Sequence, residues 1–179
     1  EVIATLIKSD KKPLEYLYLP EDVNDRLIAY LKTFKESRAQ YEKYGFPYRG
    51  GILLSGVPGC GKSTTILATA TFLDKDIFYL DLGLLKTNNE LKLCMDYVKS
   101  SSKNGGIIIF EDIDCMSNIV LQRFTNDNQP IITPDTSITK VAESTSDALS
   151  MSFLLNVLDG TMAPENVIFM MTTNFPEKL

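Results

Sequence analysis

The sequence predicts an α/β fold, a three-layer sandwich of helices around a parallel sheet. Three observations carry that expectation: four short, continuously apolar runs, helical patterns between them, and a glycine-rich turn joining the first run to its helix. Strands buried on both faces read as unbroken apolar stretches, and strands that alternate with helices form parallel sheets.

The first helix opens at Pro20, Glu21 and Asp22, since proline suits a first turn and acids suit the positive helix start. Val23, Leu27, Ile28, Leu31 and Phe34 then recur at helical spacing, and the pattern runs to about residue 43. Residues 44–51 hold Pro47 and three glycines and read as a connector. The four strands are expected at 51–55 (GILLS), 77–81 (IFYLD), 106–110 (GIIIF) and 167–172 (VIFMMT), with helices near 62–73, 89–100 and 147–158. Residues 117–146 break the alternation. They are rich in Asn, Thr, Ser, Asp and Gln, with prolines at 130 and 134, and the composition predicts a mobile surface insertion within a domain spanning 1–179.

Composition narrows the function. The chain of 179 residues is 44% hydrophobic and 23% charged, enough for one domain with a sizeable core. Its net charge of −5 and the lack of a Lys/Arg cluster do not favour a nucleic-acid surface. No apolar run approaches the roughly 20 residues of a membrane span. The opening residues lack the basic-then-apolar pattern of a signal, so any anchor would lie outside this stretch. Cys60, Cys94 and Cys115 are far apart and have no metal-ligand spacing, which fits reduced thiols in an intracellular protein. There is no histidine, so proton chemistry falls to carboxylates, lysine, tyrosine, cysteine or water.

The strongest signal is Gly56-Val57-Pro58-Gly59-Cys60-Gly61-Lys62-Ser63, followed by Thr64 at the start of a helical pattern. It fits G-x-x-x-x-G-K-[ST], the Walker A pattern of nucleotide-binding sites. Glycines let backbone amides approach phosphate oxygens, and the helix start attracts the anion. Lys62 would put a point charge on the β and γ phosphates of ATP, and the Ser63 hydroxyl would ligate Mg2+. A second signal is the run Ile107 to Phe110, which turns abruptly acidic at Glu111 and Asp112. Walker B sites look like this: one carboxylate holds the metal shell and the other orients or deprotonates the attacking water. A third, weaker one is Asn174, just past the last strand, where a polar side chain faces the crevice that binds ligands in α/β sheets.

These residues resemble the AAA family of ATPases. The resemblance runs from about Lys12 to the end, apart from the polar insertion, and is carried by YGFPYRGGILLSGVPGCGKSTT, IIIFEDIDCM, FLLNVLDG and VIFMMTTNFPEKL. Within the family, GFPYRGG and the Glu-Asp-Ile-Asp order are similar to the branch typified by the mitochondrial inner-membrane chaperone that inserts the iron–sulfur protein of respiratory complex III. The resemblance implies the P-loop NTPase fold with strand order 1-4-3-2. It assigns Gly56 to Ser63 to phosphates and magnesium, Glu111 to the metal-shell position, Asp112 to the water-activating one, and Asn174 to the sensor-1 position. Most members read Asp-Glu where this chain reads Glu-Asp. The region LGLLKTNNELK lacks the aromatic with which many members grip a threaded peptide. In the family the arginine finger, a fifth core strand and a helical lid lie beyond the position of PEKL, so the resemblance implies a partial large subdomain with weak hydrolysis of its own.

The implied activity is Mg-dependent ATP hydrolysis. In the full protein it would drive remodelling, translocation or assembly of a client protein by a homo-oligomeric ring, with a membrane anchor outside this chain left open. Three other readings stay open on these residues: a nucleic-acid-associated ATPase such as a clamp loader, a P-loop phosphotransferase, and a nucleotide-binding module without chemistry. Should an arginine finger lie within the chain, Arg49 and Arg123 are its candidates.

Overall fold

The computed structural model describes residues 4–7, 14–102, 104–113, 147–160, 162 and 164–178. The polar stretch 117–146, and with it Arg123, lies outside the described residues. Five strands form one sheet: β1 Ala4–Ile7, β2 Arg49–Ser55, β3 Asp76–Leu80, β4 Gly106–Phe110 and β5 Val167–Thr173. The main helices are α1 Glu21–Glu36, α2 Arg38–Tyr44, α3 Lys62–Leu73, α4 Asn88–Ser101 and α5 Met151–Asp159.

The sheet order is β1-β3-β4-β5-β2. The four strands expected from apolar runs are β2 to β5, all parallel, and their order corresponds to the expected 1-4-3-2. At the far edge β1 pairs antiparallel with β3, Ala4 opposite Leu80 and Ile7 opposite Ile77. The sequence pattern gives no sign of this four-residue strand, because so short a run carries no periodicity and its pairing partner lies some 70 residues away.

Side chains alternate to the two faces of the sheet and build two cores. On one face Phe78, Leu80, Ile108 and Phe110 pack with Leu91, Met95 and Val98 of α4 and with Leu154 and Val157 of α5. On the other, Ile77, Ile107, Ile109, Ile168 and Met170 pack with Leu27, Leu31 and Phe34 of α1 and with Ile66 and Ala70 of α3. All five residues of β4 are buried, which is why this strand reads as an uninterrupted apolar run. Full burial of each Ile or Phe contributes about 1.5–3 kcal/mol, so the centre of the sheet is its most stable part.

Three boundaries differ from expectation, and one is the last helix, expected near 147 but starting at Met151. The first helical pattern is split at Ser37, whose hydroxyl donates to Phe34 O at 3.1 Å while its amide caps α1. Such back-bonding by serine competes with the helical ladder and bends it. The first parallel strand begins at Arg49, two residues before its apolar run, because Arg49 and Gly50 pair with Val167 and Ile168 of β5; just before it the Tyr48 hydroxyl donates to Phe34 O at 2.5 Å.

Candidate nucleotide site

Parallel pairing brings the carboxyl ends of β2, β5 and β4 to one edge. Ser55 lies opposite Thr173, and Phe110 lies opposite Met171. The segments that leave these strands therefore converge: the glycine loop 56–61 after β2, Asn174 after β5, and Glu111 and Asp112 after β4. Because β5 runs between β2 and β4, Asn174 stands between the loop and the acids.

The loop is held to the sheet by Gly56 N–H, which donates to Thr173 O at 3.2 Å. Gly56, Gly59 and Gly61 have φ of 152°, 82° and 97°, values that disfavour side chains. A Cβ at Gly56 would also come within 2.7 Å of Cys60 Sγ. Gly61 caps α3, and the cap has no side-chain hydrogen bond, so the helix start presents backbone amides rather than a satisfied serine or aspartate. Val57, Pro58, Gly59 and Cys60 are exposed, as is Ser63 in the first turn of α3; Thr64, its neighbour, is half-buried.

Lys62, the first residue of α3, folds back over the loop. Its ammonium donates to Gly56 O at 2.6 Å, to Val57 O at 3.2 Å and to Asn174 Oδ1 at 2.8 Å. Asn174 Nδ2 in turn donates to Asp112 Oδ1 at 3.0 Å. Lysine, asparagine and aspartate thus form one hydrogen-bonded chain across three loops. Asp112 has φ of 48°, a left-handed conformation that aspartate tolerates better than most residues, and its amide donates to Thr172 Oγ1 at 3.1 Å. Strained backbone of this kind clusters at functional sites.

Glu111 takes another direction. Alternation along β4 puts it on the same face as Ile107 and Ile109, the face that carries α3. There its Oε2 accepts a hydrogen bond from the Tyr79 hydroxyl of β3 at 3.2 Å. Burial, and then the Glu111 carboxylate, push the Tyr79 phenol above its ordinary value, so it stays protonated and able to donate. Neither Tyr79 nor Thr172 belongs to a motif that the sequence marks as a site. The signal lies in the parallel register, which sets Tyr79 opposite Ile109, two residues before Glu111.

The residues suit a nucleotide with magnesium. The loop supplies space and amides, and Ser63, Glu111 and Asp112 supply the hard oxygen donors that magnesium prefers. Among the described residues no group of three or more His, Cys, Asp or Glu could hold a metal by itself. An apolar groove of about 520 Å³, lined by Val23, Leu27, Tyr30 and Leu54, adjoins the loop at Cys60 and Lys62.

Arg49 is not at this site. It begins β2, at the opposite end of the strand from the loop, and its guanidinium closes the end of α5 through Gly160 O at 2.6 Å and through Asp159 O. Cations suit that position because helix ends expose carbonyls.

Residues 52–179 match the profile of the family described as ATPase family associated with various cellular activities (AAA). The chain is similar to the AAA-ATPase ASD, mitochondrial, of Arabidopsis thaliana, 35% identical over 179 residues that cover 95% of this chain and 33% of that protein. It spans about a third of the length of the curated relatives it matches. Its fold is similar to the FIGL-1 AAA domain in complex with ADP, with a TM-score of 0.58, 17% identity, and coverage of 99% of this chain and 53% of that one. A structure on katanin self-assembly has a TM-score of 0.57, 15% identity, and coverage of 99% and 51%. No helix among the described residues is long and apolar enough to cross a membrane.

Proposed function

Because this chain belongs to the AAA family of ATPases, we propose that it binds ATP with magnesium and hydrolyses it to ADP and phosphate. The observation that carries the reading is the hydrogen-bonded chain Lys62–Asn174–Asp112, which ties the glycine loop to the acidic strand end through the last strand.

Each residue has a role that its chemistry supports. Backbone amides from Gly59 to Thr64 and the Lys62 ammonium take the phosphates. Ser63 and Glu111 hold magnesium, with Asp112 close by; the ion would neutralise charge that develops on the transferred phosphoryl group. Asp112 orients the attacking water and takes its proton, and Asn174 fixes that water or the γ-phosphate. Hydrolysis is favoured over phosphoryl transfer to a small acceptor because none of the described arginines bonds to the loop, although Arg26 lines the adjoining groove. Arg26 pairs with Asp22, Arg38 pairs with Glu42, and Arg49 caps α5.

For the longer protein we read a homo-oligomeric ring that uses ATP to remodel, translocate or assemble a client protein. The family and the katanin self-assembly structure support an oligomer, which we read as a ring. The GFPYRGG and Glu-Asp-Ile-Asp segments support the complex III chaperone branch, and the relative named as mitochondrial supports looking first in that organelle, where a membrane anchor would lie outside this chain.

A titration with a fluorescent ATP analogue tests the site. Lys62→Ala should abolish binding, because the lysine ammonium rests within the loop, on Gly56 O and Val57 O. Unchanged affinity would refute the assignment of the loop to phosphates.

A further inference from the structure

Tyr79 stands outside every motif of the site, yet its hydroxyl is bonded to one of the two acids. The ring is partly buried against the core that contains Ile77 and Ile109, so the position of its hydroxyl is set by β3 and by packing. Glu111 is exposed and has three side-chain rotors. A free glutamate there would sample several directions, and the charges of Asp112 and Asp81 at the same sheet edge would push it outward. A rigid neutral donor opposes both tendencies: it fixes Oε2 and leaves Oε1 free for another partner.

We infer that Tyr79 is a positioning residue for magnesium: through its hydroxyl bond to Glu111 Oε2 it holds the carboxylate on the α3 face, ready to receive the ion that accompanies ATP. This inference rests on the proposed ATP–magnesium site. It assigns Tyr79 no contact with nucleotide and no part in proton transfer. Its role is to reduce what must be ordered when the metal arrives, which is the way outer partners of metal ligands act.

The test is the magnesium dependence of ATP-analogue binding by this chain, read by fluorescence and by calorimetry, beside binding of the analogue in EDTA. Tyr79→Phe removes only the hydroxyl. It should raise the magnesium concentration for half-saturation by roughly 10- to 100-fold, the usual cost of losing an outer partner of a metal ligand, and leave metal-free binding unchanged. Glu111→Gln should raise it at least as much, and the double variant no further than Glu111→Gln alone. Glu111→Asp provides a second background: its shorter carboxylate no longer reaches the hydroxyl, so adding Tyr79→Phe there should change nothing. A Tyr79→Phe curve that overlays the parent while Glu111→Gln is shifted would overturn the positioning role and leave the ATP site standing. So would a loss of metal-free binding in Tyr79→Phe, which marks a packing role, or shifts that multiply in the double variant. If Glu111→Gln itself leaves magnesium dependence unchanged, the acidic strand end does not serve the metal and both readings fall.

Discussion

The Lys62 ammonium donates to Asn174 Oδ1 at 2.8 Å across 112 residues of chain. The same ammonium is bonded to Gly56 O and Val57 O, so the lysine rests in the loop where phosphates are expected. A nucleotide must take the lysine from these acceptors, Asn174 Oδ1 among them. Asn174→Ala should therefore keep analogue affinity within about threefold, since phosphate replaces a neutral acceptor with a charged one. Hydrolysis should fall by roughly 10²- to 10³-fold, the usual cost of one lost transition-state donor. Affinity and phosphate release measured on one preparation separate the two effects. Parallel loss of both would make Asn174 part of the cradle.

The two acids should also separate. Asp112→Asn is expected to bind ATP and to hydrolyse it about 10²- to 10⁴-fold more slowly, because the carboxylate beside Asn174 is lost while the loop is intact. Glu111→Gln is expected chiefly to weaken magnesium dependence. Single-turnover assays across a magnesium series distinguish them, and reversed phenotypes would exchange the roles.

Cys60 is exposed at the tip of the loop, with Sγ 3.9 Å from the Lys62 ammonium. A maleimide should label it, and saturating ATP should slow labelling at least several-fold, because bound phosphates cover the loop. Cys94 is buried and should label only on unfolding. Equal rates at Cys60 with and without ATP, followed by mass spectrometry, would place the phosphates elsewhere.

A pH dependence comes from the opposite end of the sheet. Lys75 donates to Asn104 O at 2.9 Å, to Asn166 O at 2.8 Å and to Asn166 Oδ1 at 2.7 Å, tying together the segments that precede β4 and β5. Burial, and then the charge of Arg38, lower its ammonium to about 8. The unfolded chain, with lysine near ~10.4, binds more protons above that value, so the contribution of Lys75 makes stability rise with pH from about 8 upward. The phenols of Tyr30, Tyr48 and Tyr79 are shifted upward and act in the opposite sense at higher pH. The Cys94 thiol, pushed up by burial, opposes Lys75 from about pH 8.5 upward. The Lys75 contribution is therefore read as the urea midpoint of the parent minus that of Lys75→Met, a difference that should rise between about pH 8 and 9.5. A difference that stays level over that range would exclude this role for Lys75.

Much of the fold is readable from local pattern. Strands β3 to β5 are buried on both faces and β2 carries the same apolar run, so apolar continuity marks all four. The capping box of α4, in which Thr87 and Glu90 exchange hydrogen bonds, starts the helix at Asn88, one residue before the expected 89. The glycine loop is legible because its function needs residue types at fixed short spacing, and such constraints are written along the chain. By its own spacing the sequence determined the alternation of strands and helices, the glycine loop and the acids that follow β4, whereas the strand order 1-4-3-2 was implied by the resemblance to the AAA family.

Contacts between strand ends are of another kind. That Lys62 would meet Asn174, that Asp112 would lie beside it, and that Glu111 would turn toward Tyr79 depend on β5 lying between β2 and β4 and on the register of β3 against β4. The fate of Arg49, free to act at a site in the sequence but closing α5 in the fold, depends on which end of β2 faces the loop. Strand β1 owes its existence to an open edge of β3. Only the tertiary structure decided these points. A hydrogen bond between residues 32 or 112 positions apart has no local periodicity, and its energy, about 1 kcal/mol net, is too small to constrain the residues around it.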